Sequence, residues 1–177
     1  MEKKWYVLYV ESGKEEEVQK RLLSQGFEAV VPIENRMIRS GGKWIRKPYV
    51  VFPGYVFVHV TYNWATYYIM SKISGVIRLL GGGKEPEPLT EEEARLIVFD
   101  AELFREPPII RFTDDGFEIL PERFRKLKVK KIDRHARRIT FCIKIAGRVT
   151  EFKLSFSVEE TPPALRATSP KGEAVKS

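Results

Sequence analysis

V-F-P-G-Y-V-F-V-H-V, residues 51–60, is the stretch on which the reading of this chain turns. After Pro53-Gly54 the residues alternate, with Tyr55, Phe57 and His59 directed one way and Val56, Val58 and Val60 the other. Alternation of aromatic and β-branched residues with period two predicts a strand. Pro53 cannot donate to a sheet ladder, and Gly54 accepts dihedrals that other residues avoid, so the pair marks a turn or bulge just before the strand. Both faces of the strand are apolar. The valine face suits packing under helices, and the aromatic face needs a cover of its own, either the protein's core or a partner.

Outward from this stretch the pattern is mixed. K-W-Y-V-L-Y-V at 4–10 predicts a strand closed by Glu11-Ser12-Gly13. Residues 14–24 follow as a helix, with Val18, Leu22 and Leu23 at helical spacing. Glu15, Glu16 and Glu17 fall in its first turn, where they complement the helix dipole, and Gly26 is a natural C-cap. Residues 27–33 return as a strand ended by Pro32. Residues 36–39 and 43–47 flank Gly41-Gly42 as a hairpin with basic residues near its tip, and residues 49–60 form the next strand. A helix over 63–72 and a short strand over 75–80 lead to the triple glycine at 81–83. That triplet lacks the lysine placement of a phosphate loop and reads as a flexible turn. Thr90 and Glu93 make a capping box, with Leu89 placed to staple against Ala94. The helix it opens carries Ala94, Ile97, Val98 and Ala101 inward to about residue 104. Residues 1–105 thus read as an antiparallel sheet with helices on one face.

Glu106-Pro107-Pro108 breaks the pattern and serves as a linker. Beyond it come closely spaced strands at 109–112, 127–132, 139–145 and 150–156, with hairpin connections at 134–137 and 146–148. Such spacing predicts a small barrel over 109–160. The tail at 161–177, rich in Pro, Ala, Ser and Lys, has no apolar periodicity and is expected to be disordered.

The net charge of +7 is unevenly spread over the 177 residues. Residues 1–106 hold 15 Lys/Arg against 15 Asp/Glu, whereas residues 107–160 hold 13 against 8. Between Arg123 and Arg148 there are 11 basic residues and one acid, Asp133. Concentrated positive charge attracts polyanions by releasing their counterions, so nucleic acid is the partner to consider first. The stretch reads as strands and not as a basic amphipathic helix, which disfavours an anionic membrane. No run approaches the roughly 18 apolar residues of a membrane span. The N-terminus enters a strand pattern directly and is no signal peptide. The single cysteine, Cys142, sits in an apolar alternating run and reads as a small buried residue. A cytoplasmic monomer is expected.

Catalysis is not expected. The two histidines, His59 and His135, fall in different predicted domains. No H-x-x-x-H, C-x-x-C or G-x-S-x-G occurs, and the glutamate clusters sit at helix starts, where capping accounts for them. No catalytic residue, cofactor or metal is assigned.

Three segments carry a family resemblance: K-W-Y-V-L-Y-V-E-S-G-K-E at 4–15, F-P-G-Y-V-F-V at 52–58 and S-G-V-I-R-L-L-G-G at 74–82. In this order they resemble the N-terminal (NGN) domain of the NusG family of transcription elongation factors. A-G-R-V-T-E-F-K-L-S-F at 146–156, within the strand-rich stretch 129–159, looks like the family's KOW barrel. The implied fold is an α+β NGN domain, an antiparallel sheet with helices packed on it, over 1–105. A 106–108 linker and a small all-β, SH3-like KOW barrel over 109–160 follow. In the family an aromatic depression docks on the clamp helices of RNA polymerase and the factor alters pausing or termination. Phe52, Tyr55 and Phe57 match its polymerase-contacting positions, and Tyr9 either joins them or belongs to the core. Lys14, Arg21, Arg36 and Arg39 either approach the non-template DNA strand or are solvated charge.

The resemblance has departures. The KOW motif normally opens a strand with glycine, and here that position is Leu127. The preceding loop, 116–126, is longer than usual and holds Arg123, Arg125 and Lys126. A barrel that refolds into helices, as in the RfaH branch, is disfavoured by strong β-branched patterns. Of the specialised paralogues, the LoaP subfamily is most similar, and that likeness implies an antiterminator whose barrel captures a hairpin of nascent RNA. The expected RNA surface is Arg123, Arg125, Lys126, Lys128, Lys130, Lys131, Arg134, Arg137 and Arg138, with strand alternation separating Lys131 from Lys128 and Lys130. A general elongation factor, whose barrel binds a ribosomal protein or Rho, is the alternative. A free-standing RNA-binding protein leaves Phe52, Tyr55 and Phe57 without a partner.

Overall fold

The computed structural model describes residues 2–81 and 85–159, so Gly82-Gly83 and the 161–177 tail lie outside the described residues. Strands β1 (Lys4–Val10), β2 (Glu28–Val30), β5 (Tyr55–Val60) and β6 (Val76–Leu79) form an antiparallel sheet in the order β2-β5-β1-β6. Strands β3 (Ile33–Ser40) and β4 (Lys43–Val50) form a separate two-stranded hairpin turning at Gly41-Gly42. Helices α1 (Glu15–Ser24) and α2 (Trp64–Ser71) cover the valine face, where Val56, Val58 and Val60 pack with Val18, Leu22 and Met70.

Three local expectations need correction. The strand predicted over 49–60 is interrupted at residues 51–54, where Tyr55 N donates to Phe52 O and Val10 N donates to Gly54 O. Gly54 adopts φ +85, and a Cβ there would meet the Tyr9 ring at 3.3 Å. The turn therefore requires glycine twice, for its dihedral and for the close approach of β1. The strand predicted over 27–33 is only β2, because the chain leaves the sheet at Pro32 to enter the hairpin.

The third helix starts as predicted, with Thr90 accepting from Glu93 N and Glu93 accepting from Thr90 N. It then changes pitch. One α turn, α3 (Glu91–Ala94), passes into a π turn over Arg95–Phe99 and a 3₁₀ stretch over Ala101–Arg105. This segment lies on the aromatic face of the sheet, opposite α1 and α2, since Ala94, Ile97, Val98 and Phe104 share a core with Val7 and Phe57. Helical cover is thus on both faces and not on one.

The C-terminal part is all β. Strands β7 (Ile109–Thr113) and β8 (Gly116–Leu120) pair with each other, and β9 (Lys128–Asp133), β10 (Arg138–Ile145) and β11 (Arg148–Ser155) form a meander. The short β12 (Ser157–Val158) lies parallel to β7. The stretch 116–126, read as a long loop, is β8 followed by a 3₁₀ turn over Glu122–Lys126. Ile119 opposite Ile110 and Phe124 both enter the core, which is why the segment is ordered.

The aromatic face of β5 is covered by this barrel. Phe52 sits 4.8 Å from Phe152 of β11 and 5.7 Å from Phe57, between ring centroids. Phe104 lies 6.1 Å from Phe52 and 6.0 Å from Phe152, and Phe152 stacks on Phe141 at 5.4 Å. One apolar core therefore runs from the sheet through the 95–105 segment into the barrel. Beside it, buried Glu34 of β3 accepts from Arg36 Nε (2.8 Å), Arg138 Nη1 (2.9 Å) and Ser155 N (3.0 Å). Arg138 also donates to Ser155 Oγ at 2.8 Å. A carboxylate this buried is tolerated only with such partners.

Two outcomes follow. Gly54→Ala should destabilise the chain by about 1–2 kcal/mol, the cost of a left-handed residue with a side chain, read as a lower urea midpoint at unchanged slope. A double-mutant cycle of Glu34→Gln and Arg138→Gln, measured by urea unfolding, should give a coupling energy of about 1–3 kcal/mol, and additive effects would mean the pair does not couple hairpin and barrel.

Candidate functional site

The four aromatic residues expected at a polymerase contact fall into two pairs. Phe52 and Phe57 are 3% and 0% exposed, beneath the barrel and the 95–105 segment. Tyr9 and Tyr55 stand at the rim of that contact, 6.3 Å apart, with Tyr9 38% exposed and Tyr55 half-buried. Tyr9 is thus at the surface and not in the core, held by register opposite Tyr55 and close to the Arg78 guanidinium. The cover that the aromatic face demands is supplied by this chain.

The nine basic residues of the expected RNA surface do not form one patch. Arg138 is half-buried and committed to Glu34 and Ser155. Arg123 turns inward, its guanidinium over the rings of Phe124 (4.4 Å) and Phe104 (5.3 Å). Its Nε and Nη2 are buried without a hydrogen-bond partner among the described residues. Burial lowers the Arg123 pKa from its ordinary value, opposed by the charge of Asp100. The Arg134 guanidinium carbon lies 3.8 Å from the Phe112 ring centroid, and Arg125 Nε donates to Ile119 O. Lys126, Lys128, Lys130, Lys131 and Arg137 are exposed.

The alternation expected along β9 fails at a bulge. Lys131 is opposite Thr140 and Val129 is opposite Phe141, so Lys130 is the extra residue. A bulge of this kind resets which face the following residues take. Val129 and Ile132 line the core while Lys128, Lys130 and Lys131 are all exposed. Register continues the pattern across the sheet, because Thr140 is opposite Lys153, Cys142 opposite Glu151, and exposed Lys144 opposite Val149. The outer face of the β9-β10-β11 sheet therefore carries Lys128, Lys130, Lys131, Lys144 and Lys153. Glu151 pairs with Lys130, and that hydrogen bond raises the lysine's pKa above its usual value. Lys144 and Lys153 were missed because only the pairing register, and no local run of charge, brings them to this face.

The hairpin arm carries a second basic surface, in which Arg36 lies over Tyr49 (4.1 Å) and Arg39 faces Trp44 (6.0 Å). Of the residues expected near DNA, Lys14 pairs with Glu11, Arg21 with Glu17 and Arg36 with Glu34, so none of these three adds unopposed charge. Among the described residues, no helix is long and apolar enough to cross a membrane, and no group of three or more His, Cys, Asp and Glu side chains could hold a metal ion.

The comparison with known proteins agrees with this architecture. Residues 3–98 match the family model described as "Transcription termination factor nusG". The chain is 31% identical to the transcription termination/antitermination protein NusG of Bacillus subtilis, over 89% of this chain and 97% of that protein. It is 27% identical to the NusG of Pseudomonas aeruginosa, over 90% and 99%. A solved structure, "Domain interaction in Thermotoga maritima NusG", is similar with a TM-score of 0.56 and 27% identity, covering 88% of this chain and 94% of that one. By this family match, the near full-length similarity and the shared sheet-plus-barrel architecture, the chain belongs to the NusG family of transcription termination/antitermination factors.

Proposed function

We propose that the chain is an antitermination factor that docks on RNA polymerase through its NGN domain and captures a nascent RNA hairpin on its barrel. The observation that carries this reading is the bulge-organised outer face with Lys128, Lys130, Lys131, Lys144 and Lys153. That face lies opposite the apolar side that holds the NGN domain, so it is available while the two parts are packed together. Lysines on a pleated sheet supply a diffuse positive field suited to phosphates of duplex RNA, which is recognised mostly by backbone and shape. Arg134 and Arg137, in the adjoining turn, are placed to reach a loop or bulge. The polymerase-facing residues are Phe52, Tyr55, Phe57 and Tyr9, and docking on the clamp helices requires the barrel to leave Phe52 and Phe57. The hairpin arm with Arg36 and Arg39 is the segment best placed to lie near non-template DNA.

A general elongation factor of the NusG type is the second reading, favoured by the near full-length similarity to the Bacillus subtilis protein. In that reading the barrel recruits a protein and its lysines are solvated charge.

An RNA titration decides between them, and a polymerase pull-down tests the docking that both share. The full chain, titrated with candidate leader hairpins and scrambled hairpins at several salt concentrations, should prefer one hairpin. Lys131→Gln and Lys153→Gln should each weaken binding and flatten the salt slope by about 1. Equal, steeply salt-sensitive binding to every RNA would favour the general factor. In a polymerase pull-down, Tyr55→Ala should reduce capture several-fold and Arg138→Gln should increase it, because loosening the Glu34 contact raises the fraction of open molecules. Unchanged capture by Tyr55→Ala would remove the aromatic face from the interface.

A further inference from the structure

Between the β3-β4 hairpin and the barrel runs a cleft of about 500 Å³, lined on one wall by Met37 and Trp44 and on the other by His135, Arg137 and Phe156, with Pro107 at its base. Its size falls within the range of small-ligand pockets. Trp44 is 62% exposed and Met37 48% exposed, an apolar pair left open on one face of the hairpin, with Ile45 exposed on the other. Register puts Trp44 directly opposite Arg39, and Met37 opposite Arg46, so guanidinium groups flank the indole and the thioether. By strand alternation Arg39 and Arg46 share the face that carries Trp44 and Met37, with Arg46 paired to Glu106 of the linker, while Arg36, Lys43 and Lys47 lie on the opposite face and buried Glu34 is shared by Arg36 and Arg138. The facing turn adds Arg137, while Arg134 rests over Phe112 and the turn's acid, Asp133, accepts from Ala136 N.

We infer that this cleft binds single-stranded nucleic acid, with a base stacked on Trp44 and the backbone following the guanidinium groups of Arg39 and Arg137. An exposed indole between arginines is the combination that single strands use, an aromatic platform inside a positive groove. An acidic peptide would satisfy the charge but leave the exposed indole face unused. Duplex RNA has its bases stacked inside and offers Trp44 only its backbone. The site is separate from the lysine face of the barrel, shares only Arg137 with the surface proposed to take an RNA hairpin, and does not rest on that reading.

The test uses the full chain and fluorescently labelled oligo(U) and oligo(dT) of about ten nucleotides, within the usual span of one single-strand site. Trp44→Ala should weaken binding about tenfold, and Trp44→Phe should restore most of it, since a stacking face is retained. In a chain carrying Trp5→Phe and Trp64→Phe, the emission of Trp44 should be quenched saturably. Quenching by oligo(U) alone assigns RNA, and quenching by both oligonucleotides assigns any single strand. Lys131→Gln with Lys153→Gln, which tests the hairpin reading, should leave this quenching in place. Saturable binding with Trp44 emission unchanged would overturn the inference. So would equal affinity for Trp44→Ala and the unsubstituted chain, or displacement of the oligonucleotide by poly-glutamate at equal charge.

Discussion

Burial of the Phe52–Phe57 face against Phe104 and Phe152 is the contact on which the rest of the structure depends. The turn at 51–54 delivers Phe52 to that face, the change of pitch after Ala94 brings Phe104 over it, and β11 supplies Phe152. Fully burying one such side chain is worth about 1.5–3 kcal/mol, and the edge-on ring pairs add to this. In the proposed function polymerase needs the same surface. Barrel and polymerase then compete for Phe52 and Phe57, and the apparent affinity for polymerase falls by the fraction of molecules in which the barrel is away. Tyr9 and Tyr55, at the rim, are the residues an approaching partner can meet first.

The polar contact beside this core does a different job. Glu34 takes two guanidinium groups and a backbone N–H, but removing a buried carboxylate and its partners from water costs about as much as their attraction returns. Its contribution lies in orientation: a planar, multiply bonded arrangement admits one placement of the hairpin against the ends of β10 and β11. Arg123 follows a related logic. Its guanidinium rests on Phe104 and Phe124 at the junction, so a residue that reads as nucleic-acid binding by charge serves the interior by its flat, weakly hydrated shape.

What was legible in the sequence was local. Alternation placed β5 and the three strands of the meander, the Thr90–Glu93 box placed the start of α3, and F-P-G-Y-V carried the family. What was not legible depended on partners distant in the chain. The 116–126 stretch holds only Ile119 and Phe124 as buried apolar residues, too few for a periodic signal, yet both are fixed by core contacts. The bulge at Lys130 is set by how β9 meets β10, and it reverses the face assigned to Lys131. The segregation of Arg123 and Arg138 from the exposed lysines needed the docked NGN domain, which composition and periodicity do not encode. Charge density along the chain therefore located the basic barrel but not the residues that present the charge.

The two faces of the barrel have opposite consequences for domain separation. Its inner face holds Phe52 and Phe57, and its outer lysine face is untouched by that contact. A hairpin bound only to the lysines has the same contacts whether the barrel is docked or free, and a ligand with equal affinity for both states shifts neither. The cleft at Trp44 is different, because one wall belongs to the NGN hairpin and the other to the barrel. A strand lying in it gains contacts only while the two are together, so it favours the closed arrangement, and by linkage polymerase docking must weaken its binding by the same factor. In the proposed function, RNA on the first surface can accompany the chain onto polymerase, whereas a single strand at the inferred second site would be held more weakly once the aromatic face opens.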